Sequence, residues 1–131
     1  MRFDPVALPD AVLAFLAERH LGVLTTLRPD GSPHAVPVGF AFDAAAGVVR
    51  IITQASSRKA EHAARGGRAS VTQVDGGRWL TLEGDVRRVT DAAGIAAAVA
   101  AYTERYQGPR ETRAATRVAV EIAVDRVMGR V

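Results

Sequence analysis

The sequence predicts a mainly β fold with flanking helices, in which six antiparallel strands close into a small barrel. Three observations lead there. Runs rich in β-branched residues alternate with Gly- and Pro-containing turns through the middle of the chain. Consecutive runs are joined by connections of hairpin length, which require antiparallel pairing. No strand–helix–strand series of the doubly wound kind occurs, which argues against a Rossmann arrangement. Six strands in 131 residues leave exposed edges unless the sheet closes on itself, and this length predicts one domain spanning residues 1–131.

Each element has a local cause. Asp10 can cap the free amides at the head of a first helix, whose Val12, Leu13, Leu16 and His20 share one face and which Gly22 would stop. Val23–Leu27 reads as a strand, and Asp30-Gly31 as its turn. A second strand runs from about His34 to Phe42, with Pro33 and Pro37 marking an edge or a bulge. The β-branched run Val48–Thr53 is a third. Ser56 or Ser57 then caps a short helix, Arg58 to Arg65, that ends at Gly66-Gly67. Ala69–Val74 and Trp79–Val89 form a hairpin across Asp75-Gly76-Gly77. From Asp91 to Tyr106 an amphipathic stripe of Ile95, Val99, Tyr102 and Tyr106 predicts a helix that Gly108-Pro109 terminates. Val118–Val124 alternates at period two as the last strand, up to Arg126.

Composition narrows the function. Apolar residues make up 48% and charged residues 24%, enough for a real core. The absence of cysteine excludes disulfides, thiolate catalysis and Cys-based zinc sites. Three scattered histidines (His20, His34, His62) argue against a His-rich metal centre, so no metal site is expected. The longest apolar stretch, Ile95 to Tyr102, is far short of the roughly 20 residues of a membrane span, and Met1–Pro5 has no signal-peptide run. A cytoplasmic protein without membrane contact is expected. The formal net charge is +3, and Lys59 is the single lysine beside the arginines. Such a balance suits an anionic small molecule as well as a nucleic acid. No adjacent basic block forms a nucleic-acid arm, and the few aromatics offer no stacking platform; no nucleic-acid partner is expected.

The stretch Thr53-Gln54-Ala55-Ser56-Ser57-Arg58-Lys59 carries the most chemistry. It leaves a strand, passes through small and hydroxylic residues and enters a helix, whose head favours an anion. Two hydroxyls, a guanidinium and the sole ammonium make a phosphate site there, although a capped surface helix with solvated basic residues gives the same pattern. In Gln73–Leu80, Trp79 either packs on the core or walls a pocket for a planar ring, with Gln73 and Arg78 as polar handles. His34 lacks an acidic neighbour in sequence and reads as structural. Arg105, Arg110, Arg113 and Arg117 read as a solvated face along which an anionic tail could lie. No GxGxxG, P-loop, GxSxG or HExxH pattern occurs, and no catalytic residue is assigned.

At these residues the chain resembles a known family. Phe15–Leu21, Leu24–Arg28, Asp30–His34, Val38–Phe40, Ser57–Ala60, Gln73–Gly76, Arg78–Leu80 with Leu82–Gly84, and Arg105-Tyr106 with Pro109-Arg110 are similar, in that order, to the split β-barrel flavin- and deazaflavin-binding proteins related to pyridoxamine 5′-phosphate oxidase. Within them the chain is most similar to the actinobacterial deazaflavin-dependent reductases, in particular the coenzyme F420-dependent biliverdin reductases. The resemblance implies a homodimer with a cofactor in the groove between two barrels. It implies that Ser57, Arg58 and Lys59, with Ser56, hold the cofactor phosphate, that Thr53 and Gln54 lie beneath the ribityl chain, and that the backbone of Val38, Gly39 and Phe40 runs along the ring system. Gln73, Arg78 and Trp79 would approach a cofactor held mainly by the other subunit. Arg65 becomes a candidate for the cofactor tail, and Arg78 and Arg110 for carboxylates of the acceptor. The chain stops at Val131 without the C-terminal extension that binds substrate in the oxidase, so oxidase activity is not expected.

The implied function is hydride transfer from reduced F420 to a conjugated acceptor, biliverdin to bilirubin above all, with a tetrapyrrole as the small-molecule partner. The cofactor would break the bonds while the protein orients the reactants, so no visible acid–base dyad is required. An FMN-binding oxidoreductase of the same fold and a non-enzymatic cofactor or tetrapyrrole carrier are the alternatives.

Overall fold

The computed structural model describes residues 1–107 and 114–131. Its strands are β1 (Arg2–Phe3), β2 (Gly22–Leu27), β3 (Pro33–Val38), β4 (Ala41–Asp43), β5 (Val48–Gln54), β6 (Arg68–Asp75), β7 (Arg78–Val89) and β8 (Arg117–Arg130). The helices are α1 (Asp10–Ala17), α2 (Arg58–Arg65) and α3 (Ala92–Tyr106), and a single 3-10 turn, Ala114–Thr116, leads into β8. The strands form one sheet in the order β3-β2-β6-β7-β8-β5-β4, with β1 added beside β8. Every pairing is antiparallel, as hairpin-length connections require. Among the described residues no helix is long and apolar enough to cross a membrane.

The mainly β split-barrel class predicted from sequence is the one observed. The strand count and the closure differ. The predicted second strand breaks into β3 and β4 at Gly39-Phe40, and β1 is added, giving eight strands among the described residues rather than six. The hydrogen-bonded ladder ends at β3 on one side and β4 on the other, so the sheet does not close. The two edges are joined through the chain itself at Gly39-Phe40.

Local expectations fared unevenly. Ser57 caps α2 by accepting the Ala60 N–H at 3.2 Å, and Asp91 caps α3 by accepting the Gly94 N–H at 2.9 Å. Asp10, by contrast, is the first helical residue of α1; Pro9 holds the cap position and supplies no side-chain bond. Asp10 still favours the positive end of the helix. α1 stops at Ala17 rather than Gly22, which opens β2, so His20 lies off the helix, with Nε2 3.0 Å from Glu18 Oε1. The left-handed Gln107 ends α3; Gly108-Pro109 lies outside the described residues. The last strand runs on to Arg130, because Asp125 bulges out between the Gly84–Val124 and Glu83–Arg126 pairs and pairing then resumes.

The main core fills the barrel with Phe15 and Leu16 from α1 and with Leu24, Phe40, Val49, Ile51, Val71, Leu80, Leu82 and Ile122 from the strands. A second cluster of Ile52, Val89, Ala98 and Ala119 seats α3 against β5, β7 and β8. The deepest positions of α3 are Ala98 and Arg105, while the predicted stripe of Ile95, Val99, Tyr102 and Tyr106 is only half-buried. The outward face of β2 carries Val23 and Leu27 beside Pro37 and Pro33 of β3, with Leu21 and Val74 also exposed. Among the described residues nothing covers this apolar sheet face.

Candidate functional site

The strand-to-helix junction forms as the sequence predicts. β5 ends at Thr53-Gln54, a turn closes through the Ser57 N–H to Gln54 carbonyl bond of 3.1 Å, and α2 begins at Arg58. Thr53 is buried and donates to Ser57 Oγ at 3.0 Å, and the same oxygen accepts the Ala60 amide. With both of these bonds received, the Ser57 hydroxyl proton is left to be donated outward. Ser56 is exposed, Lys59 stands on the first turn of α2, and Arg58 reaches solvent with 77% of its side chain exposed, 3.6 Å from Glu61. Gln54 is pinned by its oxygen, which accepts the Thr116 hydroxyl. Its Nε2 is buried and makes no hydrogen bond among the described residues. An orphaned buried donor wants a partner, and this one belongs to the residue that ends β5, shortly before the first turn of α2 and its two cations. That donor set fits an anionic, hydroxyl-bearing ligand such as a sugar-phosphate chain. Ser57→Ala is expected to lower stability by about 1 kcal/mol through loss of the cap, read as a shift of the urea midpoint.

The other predicted residues go elsewhere. Val38 ends β3 in register with Gly22, and Gly39 and Phe40 are buried against α3. The Phe40 amide bonds to Tyr106 Oη and its carbonyl to Arg105, so these peptide groups face the interior of the chain rather than a ligand. Gln73 is 0% exposed, donates to the Phe15 carbonyl at 2.8 Å and accepts from Arg105. The expectation that Gln73 reaches a ligand is corrected: both ends of its amide are spent in the core. Arg78, with 40% of its side chain exposed, is engaged within its own chain. It binds Glu18 through both terminal nitrogens at 2.7 and 2.8 Å, pairs with Asp75 and lies 4.6 Å over the Phe15 ring. Two carboxylates of its own chain thus share its charge. Trp79 pairs with Val74 on the outer sheet face and is half-buried there, not a core residue. Arg65 sits on the last turn of α2 and donates to the Leu27 carbonyl at 2.6 Å, away from the helix head. Arg105 is not part of a solvated face but is 9% exposed; Arg110 and Arg113 lie outside the described residues.

Distance separates the two halves of the predicted site. Gln54 is in register with Arg117 at one end of β8, while Trp79 is in register with Arg130 at the other. At about 3.3 Å per residue, the 12-residue β7 spans roughly 35–40 Å. Gln54 and Trp79 therefore lie at opposite ends of the β7–β8 ladder.

Three features were not foreseen. His34 faces His62 edge-on at 5.1 Å between ring centres, and His62 Nδ1 lies 2.8 Å from Thr26 Oγ1. Burial and the neighbouring His34 push His62 below its ordinary pKa. Glu18, His20 and Asp75 bring ligand atoms within 4.8 Å of one another, but the Arg78 guanidinium is already bonded to both carboxylates. A cavity of about 770 Å³ lies between α1, β4 and α3 and contains none of the predicted site residues except through its Arg105 wall.

The Glu18–Arg78 pair ties the end of α1 to the β6–β7 hairpin. Hydrogen bonds from Arg78, then His20, lower the Glu18 pKa from 4.5 to about 2. A carboxyl depressed in the fold stabilises it above its ordinary pKa and loses that contribution as pH falls. Glu18→Gln is therefore expected to be less stable than the parent above pH 4.5, with the difference fading between 4.5 and about 2. Unfolding midpoints across that range check it; a constant difference would contradict the pair.

Residues 8–130 match the family described as Pyridoxamine 5'-phosphate oxidase. An F420H(2)-dependent biliverdin reductase of Mycobacterium tuberculosis is 50% identical over 103 residues, covering 79% of this chain and 75% of that protein. A conserved hypothetical protein of M. tuberculosis superposes with a TM-score of 0.77 at 26% identity, over 99% of this chain and 89% of the other. A solved structure titled F420 Reductase has a TM-score of 0.73 at 27% identity, over 92% of this chain and 98% of that one. The chain belongs to the pyridoxamine 5′-phosphate oxidase family.

Proposed function

We propose that the protein is an F420-dependent reductase that works as a homodimer, with biliverdin as its acceptor. The observation that carries the reading is the donor set at the β5–α2 junction. Gln54 Nε2 has no partner among the described residues, Ser57 Oγ caps α2, and Arg58 and Lys59 stand on its first turn, which supports reading this junction as the seat of a ribityl-phosphate chain. The 50% identity to a protein named for F420 and biliverdin supports the choice of cofactor and acceptor.

Reduced F420 supplies a hydride when bound. The chain's own part is to hold and orient. Lys59, Arg58 and Ser57 bind the phosphodiester, and Gln54 takes a ribityl hydroxyl. Holding two planar partners face to face supplies acceleration without a covalent or acid–base group. A second copy seated on the apolar face of Val23, Leu27, Pro33, Pro37 and Val74 would bring Trp79 to the ring. That arrangement accounts for a site whose halves lie at opposite ends of β7 in one chain.

Fluorescence titration with F420 and, separately, with FMN, followed by anaerobic single-turnover reduction of biliverdin, tests the reading. F420 binding with bilirubin formation and a sedimenting mass of twice 13.8 kDa is expected. FMN binding without an F420 response would instead favour the flavin enzyme, and F420 binding without turnover of any bilin a carrier.

A further inference from the structure

The cavity of about 770 Å³ between α1, β4 and α3 has the volume of a small-molecule site, and the sequence explains why it is open. Ala97, Ala100 and Ala101 line it from α3, at the three- and four-residue spacing that puts them on one helix face. Leucines at those positions would fill the space toward α1, and alanines leave it free. Leu13 and Leu16 of α1 and Phe42 of β4 make up the rest of the apolar lining. Leu13 and Phe42 are only half-buried, so an apolar occupant would remove further apolar surface from water.

Arg105 lines the same cavity and is 9% exposed. It donates to the Phe40 carbonyl, to the Glu18 carbonyl through Nε at 3.1 Å and Nη2 at 2.7 Å, and to Gln73 Oε1. These bonds take four of its five N–H donors, and the second N–H of Nη1 has no acceptor among the described residues. No carboxylate among them pairs with it either. Burial pushes its pKa below the ordinary guanidinium value, and only the neighbouring Tyr106 opposes the shift. A buried cation without a counter-ion is costly in a low-dielectric interior, and an anion in the cavity would supply one. The other charged groups of the lining do not. Glu18 is bound to Arg78, and Asp43 pairs with Arg50, which also pairs with Glu121. Glu104 and Arg19 are exposed and form no ion pair among the described residues. With those pairs set aside, Arg19 and Arg105 outnumber Glu104, and the cavity carries net positive charge. Arg19 directly follows Glu18, whose carbonyl Arg105 binds, so the two cations belong to the same end of the cavity.

We propose that the cavity between α1 and α3 binds a small amphipathic carboxylate, with its acid group beside Arg105 and Arg19 and its apolar body along the alanine face. From Ala97 to Arg105 that face runs about 12 Å, the reach of a medium-chain acyl group. The site is separate from the β5–α2 junction: none of residues 53–59 lines it, and it does not rest on the F420 reading.

Octanoate is the probe, and octanol, with the same chain and no charge, is its control. Amide shifts of Phe42, Ala97 and Ala101, followed by NMR in the full chain, should saturate below about 1 mM octanoate. Octanol should bind at least about tenfold more weakly. The guanidinium N–H resonances of Arg105 should move with octanoate and stay in place with octanol. Ala101→Phe fills the cavity and should abolish the shifts. Arg19→Gln should weaken octanoate about fivefold, as loss of an exposed charge would, and leave octanol unchanged. The absence of a saturable shift, equal affinity for octanol, or shifts that survive in a folded Ala101→Phe would each overturn the proposal. Displacement of octanoate by F420 would make the cavity part of the cofactor site and overturn a separate one. Should Ala101→Phe fail to fold, the Arg105 resonances of the parent decide: octanoate binding that leaves them unmoved puts the acid group elsewhere and overturns the assignment.

Discussion

Gly84→Ala is expected to destabilise the protein by about 3 kcal/mol or more. A Cβ at position 84 would stand 1.7 Å from the Ala123 carbonyl oxygen and 2.6 Å from its carbon. Both are backbone atoms, so no side chain can swing away to make room. Relief requires β7 and β8 to separate where Asp125 bulges, at the point where pairing shifts register. β8 is the strand on which β1, β5 and β7 all pair, so the strain would spread through the sheet. For a chain of this length the loss corresponds to a fall of about 10 °C in thermal midpoint. Gly77→Ala is the control: the nearest group to a Cβ there is the Arg130 side chain at 3.8 Å, ordinary contact, and its midpoint should stay within about 0.5 kcal/mol of the parent. Equal midpoints for Gly84→Ala and the parent would mean that the two strands are not this close.

That bulge illustrates what the sequence did and did not disclose. The alternation of Val118–Val124 is legible in the residue types, although Val118 to Ile122 are all buried, and it lapses at Asp125, where one extra residue resets the period. A reader of alternation stops there, while the ladder continues to Arg130. The break at Gly39-Phe40 is hidden for a related reason. Nothing local distinguishes a strand that bends from one that ends, since the bend is held by Arg105 and Tyr106, 65 and 66 residues away. α2 and its cap were readable because Ser57, the helix and the following glycines are contiguous and their bonds are local. Helix α1 lacked such a mark at its end; it stops where Glu18 is drawn to Arg78 and Arg105 rather than at a glycine. Arginine was the hardest residue to place. Its type suggests solvent or an anion, yet Arg105 is a core residue and Arg78 is neutralised by Glu18 and Asp75. Only contacts across long sequence separations tell these roles apart.

Lys59→Ala is expected to weaken F420 binding by about 2 kcal/mol, roughly thirtyfold, the range for a hydrogen bond to a charged group. Lys59 stands on the first turn of α2, where the helix's own partial charge already favours an anion. Removing the ammonium should leave those amides, the Ser57 proton and Arg58 in place, so binding weakens without being abolished. The loss belongs to the phosphate alone if the assignment is right. A deazaflavin riboside without its phosphodiester should then bind the parent and Lys59→Ala equally, although more weakly than F420 binds the parent. Raising the salt concentration should narrow the gap for F420, because a partly exposed charge pair is screened, and leave the riboside unaffected. An equal loss for both ligands would place Lys59 against the ring or the sugar. No loss for F420, with the thermal midpoint unchanged, would remove the anion from the head of α2.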